Sequence, residues 1–130
     1  MSIIETCTII LPLPPGVLSP NRPPGSRGGR IKRAMVSKKY RRLAKEAALA
    51  VNIESGPWEK ASATATFFHQ TERRRDDVNH LAMLKPAYDG IVDAGIIRDD
   101  DSMHLSTRTP VFKIDKKFPR VEITIERGNC

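Results

Sequence analysis

Residues 60–94 read KASATATFFHQTERRRDDVNHLAMLKPAYDGIVDA. Over the first ten positions Ala61, Ala63, Ala65 and Phe67 alternate with polar partners, the period of a strand with one buried face. From about Asn79 to Ala94 the period changes. Leu81, Leu84, Tyr88, Ile91 and Val92 then form the apolar stripe of a helix. Pro86 lies inside that helix and cannot donate a backbone hydrogen bond, so it should kink the helix unless the first turn is irregular. Gly95 stands where a helix C-cap is expected.

Working outward, residues 3–11 (IIETCTIIL) predict a β-branched strand. A basic Pro/Gly-rich loop follows at about 12–34, with six prolines between Pro12 and Arg33. Ser37 is a candidate N-cap for a helix reaching about Asn52, burying Leu43, Ala47, Ala50 and Val51. Its first turn would carry Lys38 and Lys39, the wrong sign for the helix dipole, which is either a tolerated cost or a sign that they serve a ligand. Gly56-Pro57 ends that segment. Residues 103–113 predict a strand limited by Pro110, and VEITIE (121–126) alternates as a last strand. The order β-α-β-α-β-β predicts an α+β fold, one domain over 1–130, with two helices packed on a mixed sheet.

The chain has 22 Lys+Arg against 15 Asp+Glu, a formal net charge of +7. Such a field attracts polyanions, nucleic acid first among them. No acidic residue lies between Glu5 and Glu46, whereas ten Lys or Arg fall between Arg22 and Lys45. Two cysteines, Cys7 and Cys130, make no disulfide framework, and the absence of a CxxC argues against structural zinc. No signal peptide or membrane-length apolar run is present, so the expected compartment is a reducing cytoplasm, with no membrane partner. An RNA-binding reading lacks an aromatic strand of the kind that stacks bases.

Seven of the eight aspartates fall between Asp76 and Asp101, directly behind Arg73, Arg74 and Arg75. Carboxylates this dense need positive charge among them. Hard oxygen ligands suit Mg²⁺, and guanidinium groups suit phosphate. That combination is the arrangement of phosphodiester chemistry. Each element also has a plainer reading. Asp76 or Asp77 alone could be a helix N-cap, Asp99-Asp100-Asp101 a solvated turn, Lys85 a surface lysine, and Asp89 and Asp93 solvated helix positions. The Asp76 and Asp99 groups lie at opposite ends of the expected helix, about 20 Å apart along its axis. Either the later segment folds back along the helix or a second subunit supplies it. His69, His80 and His104 share no ligand spacing and read as structural or DNA-facing, and Trp58 and Tyr88 read as core.

The segment from Arg73 to Asp100 resembles the RusA family of Holliday junction resolvases. The matching features are RRRD (73–76), Asn79, Lys85, Asp89-Gly90-Ile91 and GIIRDD (95–100). The early LPLPPGVLSPNR is similar to the family's opening strand and Pro-Pro turn. The resemblance implies a small, intertwined homodimeric endonuclease that nicks four-way junctions symmetrically, with Mg²⁺ or Mn²⁺ as cofactor. It would act in a bacterial or phage-infected host cytoplasm, at the nucleoid. It assigns Asp76, Asp77, Asp99 and Asp100 to the metal, with Asp77 as a substitute. Valine occupies position 78, where the family has its second aspartate. Lys85 would steady the scissile phosphate. Arg22, Arg27, Arg30, Lys32, Arg33, Lys38, Arg73, Arg74, Arg75 and Lys85 would contact DNA. A broader flap or fork nuclease, or a junction-binding protein weakened in catalysis, are the alternatives.

Overall fold

The computed structural model describes residues 5–20, 24–51, 53, 55–73 and 75–128. Strand β1 (Thr6–Leu11) and a 3-10 turn at Gly16–Leu18 lead into helix α1 (Arg27–Val51). Strand β2 (Ala61–His69), helices α2 (Asp77–Met83) and α3 (Lys85–Asp93), and strands β3 (Leu105–Thr107), β4 (Val111–Ile114) and β5 (Arg120–Arg127) follow. The sheet runs β1-β5-β2, with β3 and β4 both parallel to β2 along its far edge and the other pairs antiparallel. It is the expected α+β fold with a mixed sheet.

Register explains the core. Ile9, Ile123 and Ala65 lie in one row across β1, β5 and β2, and Leu11, Val121 and Phe67 in the next. Phe112 of β4 extends the second row, opposite Phe67. The alanines of β2 keep the middle of the sheet thin where the helices pack. Helices α1 and α3 also pack closely on each other. A Cβ on Gly90 would stand 2.2 Å from the Arg41 carbonyl oxygen and 2.9 Å from the Ala44 Cβ, so only glycine fits there. Trp58, Tyr88 and Tyr40 are buried. Cys7 is buried and unbridged; Cys130 lies outside the described residues.

Three expectations need correction. The first concerns the 12–34 loop, because α1 begins at Arg27, ten residues before Ser37. Ser26 starts it: its Oγ accepts from the Gly29 N–H at 3.1 Å, and its carbonyl accepts from the Arg30 N–H. Lys38 and Lys39 therefore lie in mid-helix, where no dipole penalty applies. The apolar stripe is centred on Tyr40, Ala44 and Ala48, which leaves Ala50 exposed. The remaining loop is fastened to α1. Tyr40 Oη donates to the Pro12 carbonyl at 2.7 Å, and Arg33 Nη2 donates to the Leu18 carbonyl at 3.2 Å.

The second is the helix over 79–94, which is two helices meeting at Leu84. Pro86 sits in the first turn of α3, where its missing N–H costs nothing. Gly95 ends α3 as expected, at φ +84°. Its N–H donates to the Val92 carbonyl and the Ile96 N–H to that of Ile91, the paired bonds of a Schellman cap. The third is the 103–113 strand, which is interrupted between Thr107 and Val111 and so becomes β3 and β4.

Candidate active site

Lys85 is the first residue of α3, and Asp100 follows the turn at Gly95. Lys85 Nζ donates to Asp100 Oδ2 at 2.5 Å and to Asp89 Oδ1 at 2.9 Å. The segment after α3 thus folds back as far as Lys85 within one chain, without reaching Asp76 or Asp77. The Asp100 side chain retains only 14% of its accessible surface, whereas Lys85 keeps 62%. The two carboxylates, Asp100 before Asp89, hold the Lys85 amine protonated by raising its pKa. Asp99 is turned to its own backbone: its Oδ1 accepts from the Asp100 N–H at 2.7 Å.

Asp76 stands at the other end of α2 as its N-cap. Its Oδ1 accepts from Val78 N at 3.0 Å and Asn79 N at 3.3 Å. Capping uses one carboxylate oxygen and agrees with the plainer reading of this residue. Asp77 lies in the first turn and borders a cavity with His69, Arg73 and Arg75. Val78 points outward, 75% exposed. Asp77 starts α2 and Lys85 starts α3, so the two stand on separate helices that meet at Leu84. Among the described residues no three His, Cys, Asp or Glu side chains gather around one point for a metal ion. The donors are nonetheless of the right kind for a hard divalent cation, because Asp76, Asp77, Asp99 and Asp100 offer only carboxylate oxygen.

Several basic residues converge. Arg30 and Arg33 of α1 and Lys85 of α3 line one cleft of about 380 Å³. Lys38 borders a neighbouring one beside Arg41, Asp89 and Asp93. Arg27 and Lys32 are exposed on α1. Arg73 and Arg75 lie apart from these, at the far end of α2, and Arg75 Nη2 donates to the Thr71 carbonyl at 3.0 Å. Arg22 and Arg74 lie outside the described residues.

Asp89 and Asp93 are not simply solvated. Asp89 holds Lys85, and Asp93 accepts two bonds from Arg41, at 2.6 and 2.8 Å. That pair lowers the Asp93 pKa through its hydrogen bond to Arg41 and fastens α1 to α3. The i,i+4 spacing of Lys85 and Asp89 was a usable signal, since helical residues four apart are neighbours. Asp101 accepts from the Met103 and His104 N–H groups and pairs with His104 Nδ1 at 2.6 Å. His104 also reaches Glu59 at 3.4 Å, and Arg98 reaches Glu59 at 2.8 Å, which ties the Asp99-Asp100 segment to the sheet. His69 and His80 join Phe67 and Phe112 in one aromatic cluster, with His80 edge-on to the other three. The chain matches no protein-family model, and no curated protein is significantly similar to it.

Proposed function

We propose that this chain is a metal-dependent DNA endonuclease of the RusA type that resolves four-way junctions by paired nicks. The observation that carries the reading is the Lys85 ammonium held between Asp100 and Asp89 beside Arg30 and Arg33. A protonated amine between acidic ligands and a basic cleft is where a scissile phosphate can be received. On the resemblance Asp76, Asp77, Asp99 and Asp100 would hold Mg²⁺ or Mn²⁺, which when bound lowers the pKa of water and offsets charge on the phosphate. Of these four, the structure itself brings only Asp100 to Lys85. Lys85 would exchange a carboxylate for a phosphate oxygen as DNA enters. Arg30 and Arg33, with Arg27, Lys32 and Lys38 further along α1, would hold flanking phosphates and orient the strand. Cutting two strands symmetrically needs two such centres, so the acting species would be a two-fold homodimer.

A second reading is favoured by Val78, exposed at 75% where the family carries a ligand. On that reading the chain binds junctions and cuts them slowly or not at all. A synthetic four-way junction with Mg²⁺ decides between them. Paired cuts opposite one another across the branch support the resolvase. Cuts spread over flaps and forks indicate the broader nuclease, and binding without cuts the binding protein. Absence of both binding and cleavage would sink the nucleic-acid reading as a whole.

A further inference from the structure

A second cavity, about 470 Å³, lies between strand β4 and the connection that joins β2 to α2. It is bordered by His69, Glu72, Arg73, Arg75, Asp77, Phe112 and Lys113. Its cations differ from the paired arginines of the fold. Arg41, Arg98, Arg108, Arg120 and Arg127 each lie within 4.0 Å of a carboxylate. Arg73, Arg75 and Lys113 have no carboxylate partner among the described residues. Arg75 is partly desolvated and repelled by Arg73, which lowers its pKa. Three cations against two carboxylates, Glu72 and Asp77, with no ion pair between them among the described residues, leave one net positive charge around the cavity for an anion to neutralise.

The opposite wall is aromatic. Phe112 is only partly buried and stacks on His69 with centroids 6.2 Å apart and planes 25° apart. Phe67 lies beneath, 5.5 Å from Phe112. Burial, with Arg75 next, pushes the His69 pKa down to about 4, so at neutral pH the imidazole is an uncharged ring. Its Nε2 is buried with no partner among the described residues, which leaves one hydrogen-bonding site unused. A plain phosphate site has no need of an aromatic wall, and an apolar pocket has no need of three cations. A nucleotide has both halves.

We propose that this cavity receives one nucleotide of a DNA strand with its base unstacked from its neighbours. The phosphate would rest on Arg73, Arg75 and Lys113 and the base against Phe112 and His69. Base–aromatic contacts of this kind tolerate any sequence because every base has a π-face. The inference rests on the nucleic-acid reading above and adds a strand-opening role. A base held here is one removed from pairing at a branch point, and Asp77 borders the same cavity.

The test uses the wild-type chain without divalent metal. Three probes are titrated by NMR: a deoxytrinucleotide, the same molecule with an abasic central residue, and pyrophosphate. The base-bearing probe should bind about tenfold more tightly than the abasic one and shift the ring signals of His69 and Phe112. Phe112→Leu should erase that preference and leave pyrophosphate binding unchanged, whereas Lys113→Ala should weaken all three. Equal affinity for base-bearing and abasic probes would reduce the cavity to an anion site and overturn the proposal. That comparison needs no variant, so a misfolded Phe112→Leu does not spare it. Preference for the matching ribotrinucleotide would also overturn it, in favour of RNA. Junction binding in the same sample tells the two failures apart: if it persists, only the pocket falls.

Discussion

Lys85 Nζ lies 2.5 Å from Asp100 Oδ2, across 15 positions of sequence. The pairing exists because Leu84 and Pro86 start a fresh helix at Lys85, while Gly95 turns the chain back beside it. Removing Asp76 or Asp100 from the proposed metal set should separate binding from cutting. Asp100→Asn and Asp76→Asn should each abolish junction cleavage and leave binding intact or stronger, because each removes a negative charge near phosphate. Asparagine still caps a helix, so Asp76→Asn should unfold with the wild type. Asp76→Ala should in addition lose about 1 kcal/mol of stability. Near wild-type cutting by either asparagine variant would remove these residues from the site.

Junction affinity should depend steeply on salt through the basic face of α1. Every phosphate that the protein ceases to neutralise flattens the slope of log K against log salt by roughly 0.9 on duplex DNA. Neutralising Arg27, Arg30, Lys32 and Arg33 together should flatten it by several units. Arg33 also tethers the 3-10 turn through the Leu18 and Ser19 carbonyls, so Arg33→Ala alone should lower the melting temperature as well. A slope unchanged in the fourfold variant would mean that α1 does not face DNA.

Gly90→Ala should be among the most damaging single changes in the core. The new methyl meets backbone rather than a movable side chain, the Arg41 carbonyl oxygen 2.2 Å away, so α1 and α3 must separate. Overpacking of this kind costs about 1–3 kcal/mol or more. The separation would also disturb the Arg41–Asp93 pair. Chemical denaturation measures the loss, and a wild-type midpoint would contradict the close approach.

Two histidines should give opposite pH dependence of stability. His104 has its pKa raised, chiefly by its hydrogen bond to Asp101. Its contribution is complete below the unfolded value near 6.5 and fades as pH rises through the higher folded value. His69 is pushed down to about 4, so its contribution is complete above 6.5 and fades as pH falls from there toward 4. Thermal melts from pH 4 to 8 should show His104→Gln flattening the upper part of the profile and His69→Asn the lower. Identical profiles for all three proteins would contradict both assignments.

The parts of this architecture that were legible in sequence are those set by local periodicity. The alternation of Ala61 to Phe67 and of Val121 to Ile125, and Gly95 as a helix stop, needed only neighbours along the chain. The first ten residues of α1 were not legible. Gly28 and Gly29 read as loop, and besides the local Ser26 cap that end is held by distant contacts, Arg33 on Leu18 and Tyr40 on Pro12. The residue types of the Lys85, Asp89 and Asp100 cluster were visible, but their meeting depends on the chain reversal at Gly95. The aromatic wall was hidden for the same reason. Phe112 reaches His69 through parallel pairing of β4 with β2, more than 40 positions away.

Val78 offers no lone pair to a metal, and its side chain is 75% exposed at the start of α2. Asp77, one residue earlier, is the adjacent carboxylate and borders the cavity with Arg73 and Arg75. Helix N-terminal turns are irregular enough to absorb a one-residue shift. Asp77→Asn should therefore abolish cleavage at limiting Mg²⁺, and adding Val78→Asp should not restore it. Val78→Asp should fold normally, because the site is exposed and an acidic residue suits a helix N-terminus. If Val78→Asp alone raises the cleavage rate, the natural site is short of a ligand and the protein is a slow nuclease. If Asp77→Asn is silent at limiting Mg²⁺, Asp77 is not a ligand, and Asp76 is left as the only proposed metal carboxylate at this end of α2.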